Sequence, residues 1–346
     1  MAIPYSRTIF GSLPWYSVLI VSGIALAIWL AGREEKRLGL PKDTAVDLAL
    51  VVVPCGIVGA RLYYAAMNWQ AFSADPWSVL RVWEGGIAIY GAVIGGAIGA
   101  WVYARQKKQS FGTLADIVAP GLLLAQAIGR WGNYFNMEAY GPVITDEWLQ
   151  FFPMAVLIPQ VDGYAWHAAT FFYESVWNLC GFAALWMMRK KQSGGGRLFA
   201  WYLIIYGSGR FIIEQLRQDS LYLGPLRVSQ YLSLVLCIAA GLFLLHRSWK
   251  DQPKQLVPAV VCLLLWVTRW AFIENAAVYA LLMLSAGICA VWLARHEKSS
   301  LVWLTAALCL DGFGLLSGLM DGPVQLHTVL CSVSLPVGLW AISKRG

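Results

Sequence analysis

GLLLAQAIGRWGNYFNMEAYG, residues 121–141, opens as a stretch that lipid accepts and closes as one that lipid resists. GLLLAQAI carries no charge. Arg130, Asn133, Asn136 and Glu138 then fall within nine residues. A central Arg costs a membrane helix roughly 2.5–3.5 kcal/mol on insertion scales. A fixed cation, two amides and a carboxylate at the end of such a run either bind a ligand or pair among themselves.

Apolar runs like this one recur from end to end of the 346 residues, 59% of which are hydrophobic and 13% charged. Each is close to the ~20 residues that a helix needs to cross a bilayer. The chain reads as an all-α, polytopic transmembrane protein. The net charge of +7 is distributed by rule, with Lys and Arg collecting in short loops around 33–42, 105–108, 189–197, 247–254, 295–298 and 344–345. These lie at every second connection, which the positive-inside rule reads as cytoplasmic. A nucleic-acid surface would not alternate in this way.

The alternation fits eleven spans, at approximately 14–32, 45–66, 85–104, 112–129, 170–188, 198–214, 228–246, 256–273, 277–294, 301–319 and 324–342. The N-terminus is then outside and the C-terminus cytoplasmic. The first run has its basic cluster behind it, the reverse of a secretory signal peptide, so it is expected to stay as a helix. All seven Cys lie inside apolar runs without a CxxC pair, which suits buried small hydrophobes better than a metal site or disulfides. Two external segments exceed simple turns. Residues 67–84 carry three Trp and suit an interfacial position. Residues 139–169 are expected to form an external cap.

Eight basic residues lie outside the loop clusters: Arg7, Arg61, Arg81, Arg130, Arg210, Arg217, Arg227 and Arg269. None is Lys. The guanidinium is always charged and meets phosphate or carboxylate through two parallel N–H groups. Outward-placed Arg residues therefore suit a phospholipid headgroup; pairing with Glu84, Glu138, Glu174 or Glu214, or snorkelling to the interface, is the structural alternative.

The stretch at 129–141 resembles the signature of the prolipoprotein diacylglyceryl transferase family, close to G-R-x-G-N-F-x-N-x-E-x-x-G. Gly129, Arg130, Gly132, Asn133, Asn136, Glu138 and Gly141 match, with Tyr134 where Phe is usual. PWY (14–16), GARLYY (59–64), GGIAIYGAVIGG (85–96), TFFYE (170–174), GRFIIEQLR (209–217) and SQ (229–230) resemble family segments in the same order. The resemblance covers roughly residues 12–247. It implies a seven-span core (1–247), to which this chain adds a cytoplasmic linker (248–255) and about four spans of unknown role (256–346).

The resemblance also implies the chemistry. The diacylglyceryl group of phosphatidylglycerol passes to the lipobox cysteine thiol of a prolipoprotein signal peptide, forming a thioether, and glycerol phosphate leaves. No metal or cofactor is used. The place of action is the bacterial cell membrane, with the active site toward the outer leaflet. Arg130 and Arg210 are the candidate phosphate clamp. Glu214, one helical turn from Arg210, and Glu138 are expected to hold an Arg or take a proton. Asn133 and Asn136 are candidate donors to glycerol or phosphate oxygens. Gly141, Tyr16, Arg61, Tyr173 and Glu174 are further candidate substrate-binding or supporting residues.

Tyr90 departs from the pattern, because many relatives have His there. A phenol with an ordinary pKa near ~10 is a poor base at neutral pH, so Tyr90 stands as a hydrogen-bonding candidate and the base stays open. His167 precedes TFFYE and reads as structural. Gly91, Gly95 and Gly99 lie four apart and suit either close helix packing or a groove for acyl chains. A lipid transporter or flippase, or a non-catalytic lipid- or preprotein-binding relative, is the alternative. Against the transporter, the polar groups favour span ends over the midplane, and the halves show no inverted repeat.

Overall fold

The computed structural model describes residues 7–251, apart from 10, 161–162, 193, 218–221 and 224–225. Arg269 and the expected spans at 256–273, 277–294, 301–319 and 324–342 lie outside the described residues. Eight α-helices follow in order: α1 (Trp15–Leu38), α2 (Thr44–Met67), the short α3 (Trp69–Phe72), α4 (Ile89–Gln106), α5 (Phe111–Asn136), α6 (Thr170–Gln192), α7 (Arg197–Glu214) and α8 (Val228–Asp251). Each of the seven spans expected for the core falls on one long helix. By length and composition, α1, α2 and α5 are long and apolar enough to cross a membrane.

Three two-stranded antiparallel ribbons complete the described chain: β1 (Thr8–Ile9) with β2 (Leu13–Pro14), β3 (Ala155–Gln160) with β4 (Gly163–Ala168), and β5 (Tyr222–Leu223) with β6 (Leu226–Arg227). The all-α expectation thus holds for the spans but not for the segment at 139–169, which contains the β3–β4 hairpin. Helix α4 also starts four residues later than the apolar run at 85. Gly85 and Gly86 have φ of 83° and 69°, left-handed values that turn the chain before the helix.

Two compact units divide the chain: residues 17–128 with 182–199, and residues 1–16, 129–181 and 200 onward. The first unit is patterned inside out relative to a water-soluble protein. Val21, Leu50, Val58, Leu62, Val93 and Ile98 are exposed on α1, α2 and α4, whereas Glu34, Glu35, Arg61 and Asp116 are buried. Lipid is the solvent that such a surface suits.

The buried acids of this unit serve loop ends. Glu35 accepts the backbone N–H groups of Asp43 (2.9 Å) and Ala45 (2.7 Å) at the start of α2. Glu34 pairs with Arg37 at 2.6 Å and Arg189 at 2.9 Å. Asp116 accepts from Gly194 (2.7 Å) and Gly196 (3.0 Å), just before α7, and from Phe199 (2.8 Å) in its first turn, where a helix N–H has no partner within the helix.

Helices α2 and α4 touch backbone to backbone. A methyl group at Gly91 would strike the Gly59 carbonyl oxygen and lie 2.9 Å from Ala60 Cα; one at Gly95 would strike the Cys55 carbonyl oxygen; one at Gly99 would lie 2.9 Å from Cys55 Cβ. The glycine stripe is therefore filled by α2 rather than left as an acyl-chain groove. Gly95→Ala should lower thermal stability in detergent, by about 1–3 kcal/mol, because backbone rather than a flexible side chain must move. Gly32→Ala on α1, where nothing lies within 4 Å of the added methyl, should be neutral or mildly stabilising. Equal melting behaviour of both variants would show that the α2–α4 contact tolerates separation.

Candidate functional site

The end of α5, the first turns of α6 and the end of α7 carry a chain of ion pairs. Arg130 Nη2 lies 2.7 Å from Glu174 Oε1, and Arg210 Nη1 donates to Glu174 Oε2 at 3.2 Å. Arg210 Nη2 lies 2.7 Å from Glu214 Oε2 across one turn of α7. One carboxylate thus divides its two oxygens between two guanidiniums. Tyr206, one turn before Arg210 on α7, lies half-buried beside these charges.

Burial orders the group. The side chains of Glu174 and Glu214 are 4% and 5% exposed, those of Arg130 and Arg210 20% and 17%. The carboxylates stand behind and the cations are the reachable part. Each guanidinium has five N–H donors, and the carboxylates engage one on Arg130 and two on Arg210. Donors are left for an anionic or carbonyl-bearing ligand. Two cations and two carboxylates thus offset one another within these four side chains.

Beside Arg130, the Tyr16 ring packs on Gly132, where a Cβ would come within 3.1 Å of its Cε2 and closer still to Cδ2. Trp15 stacks on Phe135 with ring centroids 4.9 Å apart. Asn133 and Asn136 are half-buried, and their side-chain amides have no hydrogen-bond partner among the described residues. After Asn136 the helix ends abruptly. Met137 and Ala139 take φ of 56° and 54°, uncommon for side chains other than Gly, Asn and Asp, and they flank the exposed Glu138. Glu138, expected to hold an Arg, makes no ion pair among the described residues; Glu174 has that task instead.

Other candidates are tied into the cap. Gly141 donates its N–H to the Ala168 carbonyl at 2.9 Å and accepts from His167 Nδ1 at 2.8 Å, and a Cβ there would meet Ala168 and Thr170 at 2.8 and 3.0 Å. Gly141 is thus packed against Ala168 of β4 and Thr170 of α6. His167 Nε2 faces the Gln160 amide nitrogen at 3.0 Å, so both ring nitrogens of this buried His are engaged, as its structural reading requires. The Tyr173 hydroxyl donates to the Met154 carbonyl. Val156 and Ile158 of β3 pack with Ala169 and Phe171, bordered by Trp131, Tyr134 and Tyr140.

Arg61 and Tyr90 belong to the other compact unit. Arg61 is 5% exposed, and all five of its N–H groups point at carbonyls: Val79 (2.9 Å), Ser78 (2.7 Å), Arg81 (3.1 Å), Gly86 (3.0 Å) and Gly85. No donor is left for a headgroup, contrary to its expected substrate contact. Tyr90 is 36% exposed and rests edge-on against Tyr63 at 6.4 Å. Arg81 pairs with Asp75 (2.9 Å) and Glu84 (2.7 Å), and the hydrogen bond to Asp75 is the main reason its guanidinium is held above its ordinary value.

Sequence reasoning missed Tyr206 and underrated Glu174. A Tyr inside an apolar span reads as packing, and only its spacing of four from Arg210 marks it. Glu174→Gln should leave two guanidiniums close together with one fewer anion. Such a loss is worth about 3–5 kcal/mol for a buried pair, and a markedly lower melting temperature in detergent should record it. An unchanged melting temperature would mean that each Arg finds another anchor.

A family model described as prolipoprotein diacylglyceryl transferase matches residues 5–246. Curated relatives described as phosphatidylglycerol–prolipoprotein diacylglyceryl transferase, from Bacillus cytotoxicus, Bacillus cereus and Bacillus anthracis, are each 44% identical over 241 residues, 69% of this chain and 89% of theirs.

Proposed function

The chain belongs to the prolipoprotein diacylglyceryl transferase family, and from that premise we propose that it transfers the diacylglyceryl group of phosphatidylglycerol to the lipobox cysteine of a prolipoprotein. The observation that supports this reading most is the Arg130–Glu174–Arg210 bridge, with its cations outward beside the open amides of Asn133 and Asn136. In the reaction, the bond between the diacylglyceryl carbon and the phosphate oxygen breaks and a carbon–sulfur bond forms. The broken bond's electron pair leaves on glycerol phosphate, and the thiol's proton passes to water. Arg130 and Arg210 bind the phosphate and take up the charge that grows on it. Asn133 and Asn136 orient its glycerol oxygens. Glu174 and Glu214 hold the guanidiniums at fixed angles.

The distribution of loop charges supports a site toward the outer leaflet, with the N-terminus outside. The core up to residue 247 carries the reaction, and residues 256–346 are an addition to it. A lipobox peptide should gain the mass of a diacylglyceryl group only when phosphatidylglycerol and this protein are both present. Arg130→Lys and Arg210→Lys keep the charge but lose the planar fork, and each should lower turnover by about 10²–10³. Absence of any adduct, with lipid and peptide proven competent, favours a binding relative instead.

Tyr90 takes a hydrogen-bonding part in this scheme. Tyr90→Phe should then lower kcat several-fold and leave the shape of the pH–rate profile intact. Loss of the profile's alkaline limb along with most activity would instead make Tyr90 the base.

A further inference from the structure

Two helices of the first compact unit end on the same pattern. Trp29, Arg33 and Lys36 of α1 stand at i, i+4 and i+7. Trp101 and Arg105 of α4 repeat the first step, and Lys108 follows in the turn that ends this helix. Residues so spaced share one face of a helix. Both faces are turned outward, with Leu26 and Trp29 exposed on α1 and Ile94, Ile98 and Trp101 exposed on α4. Each guanidinium lies over its own indole: Arg33 is 4.7 Å from the Trp29 ring centroid, and Arg105 is 5.3 Å from that of Trp101. Stacking occupies the flat side of a guanidinium and leaves the N–H groups at its edge free to bond.

Other arginines of this unit are taken up by the fold. Arg189 lies over the Trp186 ring at 3.6 Å but pairs with Glu34, as Arg37 does. Arg61 is spent on carbonyls, and Arg81 pairs with Asp75 and Glu84. Arg33, Lys36, Arg105 and Lys108 differ. All four are exposed, and among the described residues none has an ion pair or a side-chain hydrogen bond. The neighbouring acids are engaged elsewhere: Glu34 with its two arginines, Glu35 with the start of α2, and Asp47 with Lys107 at 3.7 Å. Both outward faces therefore close on cations that the protein itself does not neutralise.

We propose that the Trp29–Arg33–Lys36 and Trp101–Arg105–Lys108 faces each bind a phospholipid of net negative charge, at sites that share no residue with the Arg130–Glu174–Arg210 group. Each face is ordered as a phospholipid is. Aliphatic side chains come first and suit acyl chains. The indole follows, a ring that favours the headgroup level of a bilayer. The guanidinium comes last and meets a phosphate through two parallel N–H groups. On α4 the step from Ile98 to Arg105 is roughly 10 Å along the helix, enough to pass from upper acyl chain to phosphate. A zwitterionic lipid would bring a cation of its own beside Lys36 or Lys108, so an anionic headgroup fits these ends better. The proposal does not depend on the transfer reaction.

The test is electron-spin-resonance measurement of the lipid immobilised by full-length protein in phosphatidylcholine bilayers. Spin-labelled phosphatidylserine, an anionic lipid outside the proposed reaction, is compared with spin-labelled phosphatidylcholine. The wild-type protein should favour phosphatidylserine, and the preference should weaken as salt is raised. The double variant Arg33→Gln/Arg105→Gln should lower that preference by roughly two- to fivefold. Lys36→Gln/Lys108→Gln should lower it in the same direction, and it carries the test if the arginine variant does not fold. Arg81→Gln removes a cation already paired with two acids and should leave the preference as it was. Equal preference in the wild-type protein and the folded double variants would overturn the proposal. An equal loss in Arg81→Gln would also overturn it, by showing that net charge rather than these two faces selects the lipid. Transfer activity plays no part in the readout, so neither result bears on the transferase reading.

Discussion

One carboxylate between two guanidiniums is the constraint around which the second compact unit is arranged. Glu174 is 3% exposed, and removing a charge from water costs several kcal/mol unless opposite charges stand close by. Arg130 and Arg210 meet that need only if the end of α5, the start of α6 and the end of α7 approach one another. Small residues permit the approach. A Cβ on Gly209, beside Arg210, would run into the Trp177 ring, three residues after Glu174, whose Nε1 donates to the Ile205 carbonyl at 2.8 Å. The ion pairs and the tight α6–α7 contact are thus two aspects of one arrangement. Glycine brings the helices close, and the charges make closeness necessary.

The segment between α5 and α6 answers a similar demand, because irregular backbone must find partners. The polypeptide between α5 and α6 satisfies itself through the β3–β4 hairpin, through the Gly141–Ala168 and Ile144–Trp166 hydrogen bonds, and through His167 and Thr170, which bind the carbonyls of Gly141 and Ala139. This bonding holds Met137 and Ala139 in left-handed conformations. Such strain persists only where surrounding structure over-determines it. Here it aims Glu138 away from the Arg cluster and leaves it exposed.

Much of this is legible in the sequence for physical reasons. Helix positions follow from apolar runs of bilayer length, and the described helices fall where those runs lie. The importance of Arg130 and Arg210 follows from the cost of a cation in lipid. Partner choice is less legible. Glu138 and Glu174 are equally acidic, and only the abrupt end of α5 at Asn136 decides that Glu174 reaches the guanidiniums. Arg61 looks like a ligand-binding Arg in sequence, because nothing local reveals the five carbonyls that meet it from residues 78–86. The β3–β4 hairpin is less legible, because residues 139–169 read only as an external segment longer than a simple turn.

Charge balance bears on how the proposed reaction proceeds. Phosphatidylglycerol brings one negative charge to guanidiniums already paired with carboxylates, so recognition depends on the direction of their remaining N–H donors. As the carbon–oxygen bond breaks, the phosphate moves from a diester toward a monoester and its charge grows. Guanidiniums already held by Glu174 and Glu214 need not reorient to meet that growth, so their stabilisation favours the transition state over the bound lipid. A free pair of arginines would have to reorient during that growth and would lose part of the stabilisation. The buried carboxylates therefore do more than neutralise: they keep the cations still while the charge opposite them changes.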